Sequence, residues 1–158
     1  MPTNLRKVLG PHPLPPAPIG KVLAGSDGLT DTKKQHRLLA EQAAAPGALV
    51  EHLRKAVVTH HNHPDKVKRF ARQNKHLARQ GLPPRPLYPK SDTTRKGNVA
   101  EIALAEYVVA TEKLALPVYR LRWNPNLEQS MKGDDVLAFD LDAKPARILV
   151  GETKFRSR

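Results

Sequence analysis

Three residues near the C-terminal end have types and spacing that could do chemistry. Asp135, Glu152 and Lys154 lie within residues 132–156, KGDDVLAFDLDAKPARILVGETKFR. Glu152 and Lys154 are two apart. On a strand both project from one face, while Thr153 points away. If strand pairing brings Asp135 beside that face, two carboxylates and an ammonium converge at a strand edge. Carboxylate oxygens are what a hard cation such as Mg²⁺ takes. A metal so held can lower the pKa of bound water and stabilise charge on a phosphate.

The elements that must position these groups follow from the flanking sequence. Val, Leu, Ile and Phe dominate two short segments, and Asp142-Ala143-Lys144-Pro145 separates them. They predict a β-hairpin or a short antiparallel pair. Upstream, Ser91 or Asp92 caps a helix to about residue 113. Val99, Ile102, Ala103, Tyr107, Val109, Ala110 and Leu114 give it a broad apolar face. Glu101 and Glu106 lie on this helix. Five residues at about 100° each set them some 140° apart, so they cannot both face one site. Either could be an ordinary surface glutamate. Residues 116–123, LPVYRLRW, alternate, and predict a strand with Tyr119, Leu121 and Trp123 on the core face.

Charge points to a polyanionic partner. The chain has 158 residues, a formal net charge of +12 and no cysteine. Residues 1–90 carry sixteen Lys/Arg against five Asp/Glu, a net of +11; residues 91–158 carry eleven against ten, a net of +1. The basic charge therefore sits beside the acidic hairpin, not on it. Nucleic acid is the first partner this implies, and a solvated basic half is the bland alternative. The lack of cysteine excludes disulfides and thiolate zinc sites. No apolar run could span a bilayer and no signal-peptide core is present, so the expectation is no membrane and a cytoplasmic location.

The basic half divides into three. Residues 1–30 are Pro-rich and read as an extended arm with loops. Residues 31–81 form a basic helical region. Asp31 or Thr32 caps a helix to about residue 45, and a second runs from about 48 to 59 with a stripe of Leu49, Val50, Leu53, Ala56 and Val57. His60, His61 and His63 follow. They could bind a metal, but no fourth ligand of familiar spacing is near, and a polar turn between helices is the simpler alternative. A third helix, from Asp65 to about residue 80, carries Lys66, Lys68, Arg69, Arg72, Lys75 and Arg79 around a narrow apolar stripe. These six cations are candidate phosphate contacts, which add salt-dependent affinity with little sequence information. Residues 82–90, LPPRPLYPK, read as a stiff Pro-rich linker and a domain boundary.

From Ser91 the expected order is helix, strand, strand, strand. With acids on the helix and at Asp135, then Glu152-Thr153-Lys154, it resembles the PD-(D/E)XK nuclease superfamily, an α/β core of order αβββαβ. Three segments look like the HamA family within it, the nuclease subunits of Hachiman anti-phage defence. They are Arg95-Lys96-Gly97-Asn98-Val99-Ala100-Glu101, Lys132-Gly133-Asp134-Asp135 and Gly151-Glu152-Thr153-Lys154-Phe155. A Glu-x-Lys alone is a weak signal. An acid seventeen residues upstream, after an acid-bearing helix, is much stronger.

The resemblance implies a metal-dependent nuclease cutting DNA with Mg²⁺ or Mn²⁺. Asp135 and Glu152 would bind the metal, Glu101 would add a further acid, and Lys154 would orient or activate water. It also implies a helicase subunit as partner. The family core continues past its Lys-bearing strand with a helix and a strand, whereas this sequence stops at Arg158. The expectation is therefore an α+β chain with a partial core over residues 91–158. It would be a fragment or one half of a split protein, completed by a C-terminal chain. Alone it should be poorly active, exposing Leu137, Phe139, Ile148 or Val150. Two other classes stay open: a non-catalytic nucleic-acid binder, and a protein-interaction subunit.

Overall fold

The computed structural model describes residues 19–31, 34–44 and 46–156. Residues 1–18 of the expected Pro-rich arm lie outside this range. Over the described residues the chain is mixed α+β, with two separate two-stranded antiparallel sheets and helices between them.

A single helical turn, α1 (Ile19–Val22), leads into β1 (Leu23–Asp31), which pairs with β2 (Lys34–Glu41). Two expectations are corrected here. Residues 19–31 are structured and are not part of an extended arm, and residues 34–41 form a strand where a helix was predicted. Strand formation depends on a partner more than on local propensity. Here β1 supplies that partner, with Gly25 opposite Leu39 and Asp27 opposite Arg37. The Arg37 guanidinium donates to both oxygens of Asp27, at 2.5 and 2.8 Å, and to the Tyr107 hydroxyl at 2.9 Å. The last contact ties this hairpin to the long helix described below.

The next two helices fall close to their expected positions. Gly47, at φ 80°, opens α2 (Ala48–His61) in a left-handed conformation that suits glycine. Its stripe residues Leu53, Ala56 and Val57 pack against Ile102 and Leu121. Pro64 begins α3 (Pro64–Arg79), where its missing N–H costs nothing, and the His63 ring accepts from the Asp65 N–H. Gly81, at φ 68°, ends the helix, and Leu82 N–H returns to the Leu77 carbonyl at 3.0 Å. No residue of α3 is buried.

The centre of the molecule is α4 (Asp92–Thr111), capped by the Ser91 hydroxyl. Glu128 reinforces that cap by accepting from the Lys90 and Ser91 N–H groups at 2.7 and 2.9 Å. One side of α4 meets α2 through Ile102. The other, through Ala105 and Val108, meets Val136 and Ala138 of the second sheet. That sheet is β3 (Val136–Asp140) against β4 (Arg147–Gly151), with Val136 opposite Gly151 and Phe139 opposite Ile148. The hairpin is thus as the sequence predicts.

The third expected strand is absent. Residue 115 makes one bridge to Phe139, and residues 120–123 form a 3₁₀ turn. Pro117 lacks the N–H a ladder needs. Trp123 is 74% exposed and Leu121 only 3%, so the alternation does not describe a core face. The structured core behind the site is therefore one helix and two strands plus a bridge.

Close approach fixes the sheet against α4. A Cβ on Gly151 would lie 2.8 Å from Leu104 Cδ2. Alternation then leaves Leu137, Ile148 and Val150 on the opposite face, 42, 58 and 56% exposed.

Candidate functional site

Glu101 and Asp135 come together from different elements. Glu101 projects from α4 and is buried; Asp135 immediately precedes β3 and is half-buried. A single nitrogen, Arg120 Nη2, donates to Glu101 Oε2 at 3.4 Å and to Asp135 Oδ1 at 3.2 Å. The same guanidinium donates to the carbonyls of Met131, Gly133 and Asp134. Arg120 therefore clamps the 131–135 loop and sets Asp135 facing Glu101. This is why residues 120–123 coil: a 3₁₀ turn carries the Arg120 side chain inward.

Burial pushes the Glu101 carboxyl up to about 7, and the charge of Asp135 pushes the same way against the pull of Arg120. His60, Tyr119 and Val136 line the small cavity beside these carboxylates. Burial also raises the Tyr119 hydroxyl above its usual range.

Glu152 and Lys154 stand apart from this pair. They are 70 and 68% exposed in their side chains and form an ion pair with each other at 3.0 Å. Thr153 faces Asp135 instead. Its N–H and its hydroxyl both donate to Asp135 Oδ2, at 2.7 and 2.8 Å. Asp135 thus lies on the Thr153 side of the chain beyond β4, opposite to the convergence that a simple strand continuation predicts. Regular pairing ends at Gly151.

A second buried carboxylate lies deeper. Glu106 is 1% exposed, with His52 Nε2 2.7 Å from Oε2 and His60 Nε2 2.6 Å from Oε1. Neither Glu101 nor Glu106 is a surface residue. Their angular separation on α4 sends one toward Arg120 and the other toward α2. The three clustered imidazoles also diverge. His60 reaches Glu106, His61 meets Asn98 and the Tyr88 ring, and His63 caps α3. Burial holds His61 down to about 4, helped by the charges of His60 and Lys66. Among the described residues no group of three His, Asp or Glu side chains is arranged to hold a metal ion.

Lys66, Lys68, Arg69, Arg72, Lys75 and Arg79 project from the exposed helix α3, and none has a carboxylate partner among the described residues. No helix among those residues is long and apolar enough to cross a membrane.

Sequence reasoning missed Arg120, Thr153 and the Glu106 cluster. Arg120 left one signal, an arginine within an apolar run, shared there with Arg122. The others left none, because their partners are distant in the chain.

Fold and site define an α+β protein whose central helix and hairpin bring two acids onto one arginine. The chain belongs to the HamA family, whose model matches residues 22–158. A 71-residue stretch is 52% identical to the Hachiman protein HamA of Bacillus cereus; it covers 45% of this chain and 25% of that protein. No solved structure matches.

Proposed function

We propose that the chain is the nuclease-type component of a Hachiman anti-phage defence system, acting on phosphodiester bonds in DNA with Mg²⁺ or Mn²⁺. The observation that carries this reading is the convergence of Glu101 and Asp135 in a chain of the HamA family. The restriction-endonuclease-like assignment of residues 91–158 is part of the same proposal.

The donor set fits a hard cation. Both groups are carboxylates, and both already accept from a cationic guanidinium. Glu101 and Asp135 are the residues that would hold it, and Glu152 would have to leave its ion pair with Lys154 and turn toward them to join. When bound, such an ion supplies water activation and charge stabilisation at phosphorus. The chain's own residues do the rest. Arg120 and Thr153 fix the orientation of Asp135, and Lys154 orients the attacking water or the scissile phosphate. Lys66, Lys68, Arg69, Arg72, Lys75 and Arg79 hold the DNA backbone. A helicase subunit is the proposed partner.

One observation favours a second reading, a nucleic-acid-binding component without cleavage: Lys154 pairs with Glu152, away from Glu101 and Asp135. Plasmid nicking with and without EDTA separates the two. Metal-dependent nicking abolished by Asp135→Ala and by Glu152→Ala is the expected result. Nicking that survives both substitutions removes the residue assignment, and no nicking alongside salt-sensitive binding leaves the second reading.

A further inference from the structure

We infer that a cleft between α3 and the 124–127 segment captures one unpaired nucleotide of single-stranded DNA. The inference rests on nucleic acid being the partner of the basic half, but not on cleavage.

The cleft has a volume of about 460 Å³, the size of a small-molecule site and too small for a duplex. Three cations line it, Lys66 and Arg69 from α3 and Arg85 from the following segment. None has a carboxylate partner among the described residues. The nearby acids are engaged elsewhere. Asp65 approaches His63 at 3.5 Å, and Glu128 accepts from the backbone at the start of α4. Positive charge is left uncompensated around a concave surface, which is what a phosphate needs.

The cleft is preorganised. Arg85 N–H donates to Asn74 Oδ1 at 2.8 Å, and Asn74 Nδ2 donates back to the Arg85 carbonyl at 3.3 Å. This pair of bonds clamps residue 85 beside α3. On the other wall, Asn124 accepts from the Asn126 N–H and donates to the Gln129 carbonyl, holding the loop in place.

The walls suit a base. Phe70 is partly buried on one side and Pro125 and Leu127 lie on the other. Lys66 Nζ sits 5.8 Å from the Phe70 ring centroid, so the ring already engages a cation. Aromatic faces hold unpaired bases by stacking, whatever the base. Gln73 also lines the cleft, and its Oε1 is buried without a hydrogen-bond partner. Such an acceptor calls for a donor, and the amino or imino N–H of a base supplies one. A duplex hides both the ring faces and those donors, hence the single strand.

Fluorescence anisotropy of labelled single-stranded oligonucleotides in EDTA tests this, since EDTA removes any cleavage. Phe70→Ala should weaken binding of a normal strand by about tenfold. It should leave binding of an abasic strand unchanged. Arg85→Ala, at an exposed position, should lower the salt slope by about 0.7, the value for one single-strand phosphate contact. Equal loss on normal and abasic strands, or an unchanged salt slope for Arg85→Ala, overturns the cleft assignment while the basic-helix reading stands. Tighter binding of duplex than of single strand also overturns it. Absence of binding to any oligonucleotide at low salt overturns both.

Discussion

Thr153 donates twice to one oxygen of Asp135, from its N–H at 2.7 Å and its hydroxyl at 2.8 Å. The other oxygen faces Arg120 at 3.2 Å. Asp135 is therefore held from two sides, and the residue between Glu152 and Lys154 does part of the holding. Thr153→Val deletes the hydroxyl bond and keeps the shape. It should cost about 1.5–3 kcal/mol in urea unfolding, the range for a hydrogen bond to a charged group. Thr153→Ser should retain most of that stability. Equal losses for the two variants would mean the hydroxyl bond contributes nothing.

Glu101 gives the fold a pH dependence with a definite sign. Burial raises its folded-state carboxyl from the ordinary 4.5 to about 7. The folded form thus binds the proton more tightly than the unfolded chain. Its contribution is fully present below about pH 4.5, declines as pH rises toward 7, and is flat above. Glu101→Gln should remove this component. The stability difference between wild type and Glu101→Gln, measured by urea melts from pH 4 to 8, should change across that window. A difference independent of pH would exclude the shift.

The same proton links to metal binding. A divalent cation on Glu101 and Asp135 must displace the proton, so Mg²⁺ or Mn²⁺ affinity should rise with pH until about 7 and then level. Calorimetry in buffers of different ionisation enthalpy would show proton release below that pH. Glu101→Gln should abolish the release. Binding that stays pH-independent in the wild type would place the metal elsewhere.

Glu106 is the costlier acid to remove. It is 1% exposed and lies within 2.7 Å of two imidazole nitrogens, His52 and His60. Glu106→Ala leaves those groups without their shared partner and should cost about 3–5 kcal/mol, as for breaking other buried pairs. Equilibrium denaturation measures it, and a loss below about 1 kcal/mol, the scale of an exposed pair, would show the cluster is solvated.

What the sequence made legible were features set by local rules. Ser91, Pro64 and Gly81 mark the ends of helices, and the caps and turns form where those residues stand. The β3–β4 hairpin follows from apolar runs around a turn. Glu101 and Asp135 meet because that helix packs on that hairpin. The misreadings all involve distant partners. Residues 34–41 pair with β1, which has no strong strand signature of its own. Arg120 leaves the predicted strand to reach carboxylates fifteen and nineteen residues away. Glu106 finds histidines 46 and 54 residues earlier. Period-two alternation placed Glu152 and Lys154 together correctly but not beside Asp135, because regular pairing ends at Gly151.

The outer face of the second sheet should behave as an exposed apolar patch. Leu137 stands opposite Val150, and Ile148 opposite Phe139, so these side chains share one face. Leu137, Ile148 and Val150 are 42, 58 and 56% exposed, while α4 covers the other face through Leu104 and Gly151. Contiguous apolar surface of this kind binds hydrophobic dyes and favours association. The chain alone should therefore bind such a dye and elute earlier or broader on size exclusion as concentration rises. Ile148→Thr with Val150→Thr keeps β-branched side chains, so strand propensity is preserved while each apolar side chain gains a hydroxyl. Dye binding should fall clearly, while unfolding free energy should shift by no more than about 0.5 kcal/mol, as for exposed substitutions. A large loss of stability in this double variant would show that the face is packed in solution, and unchanged dye binding would locate the exposed apolar surface elsewhere.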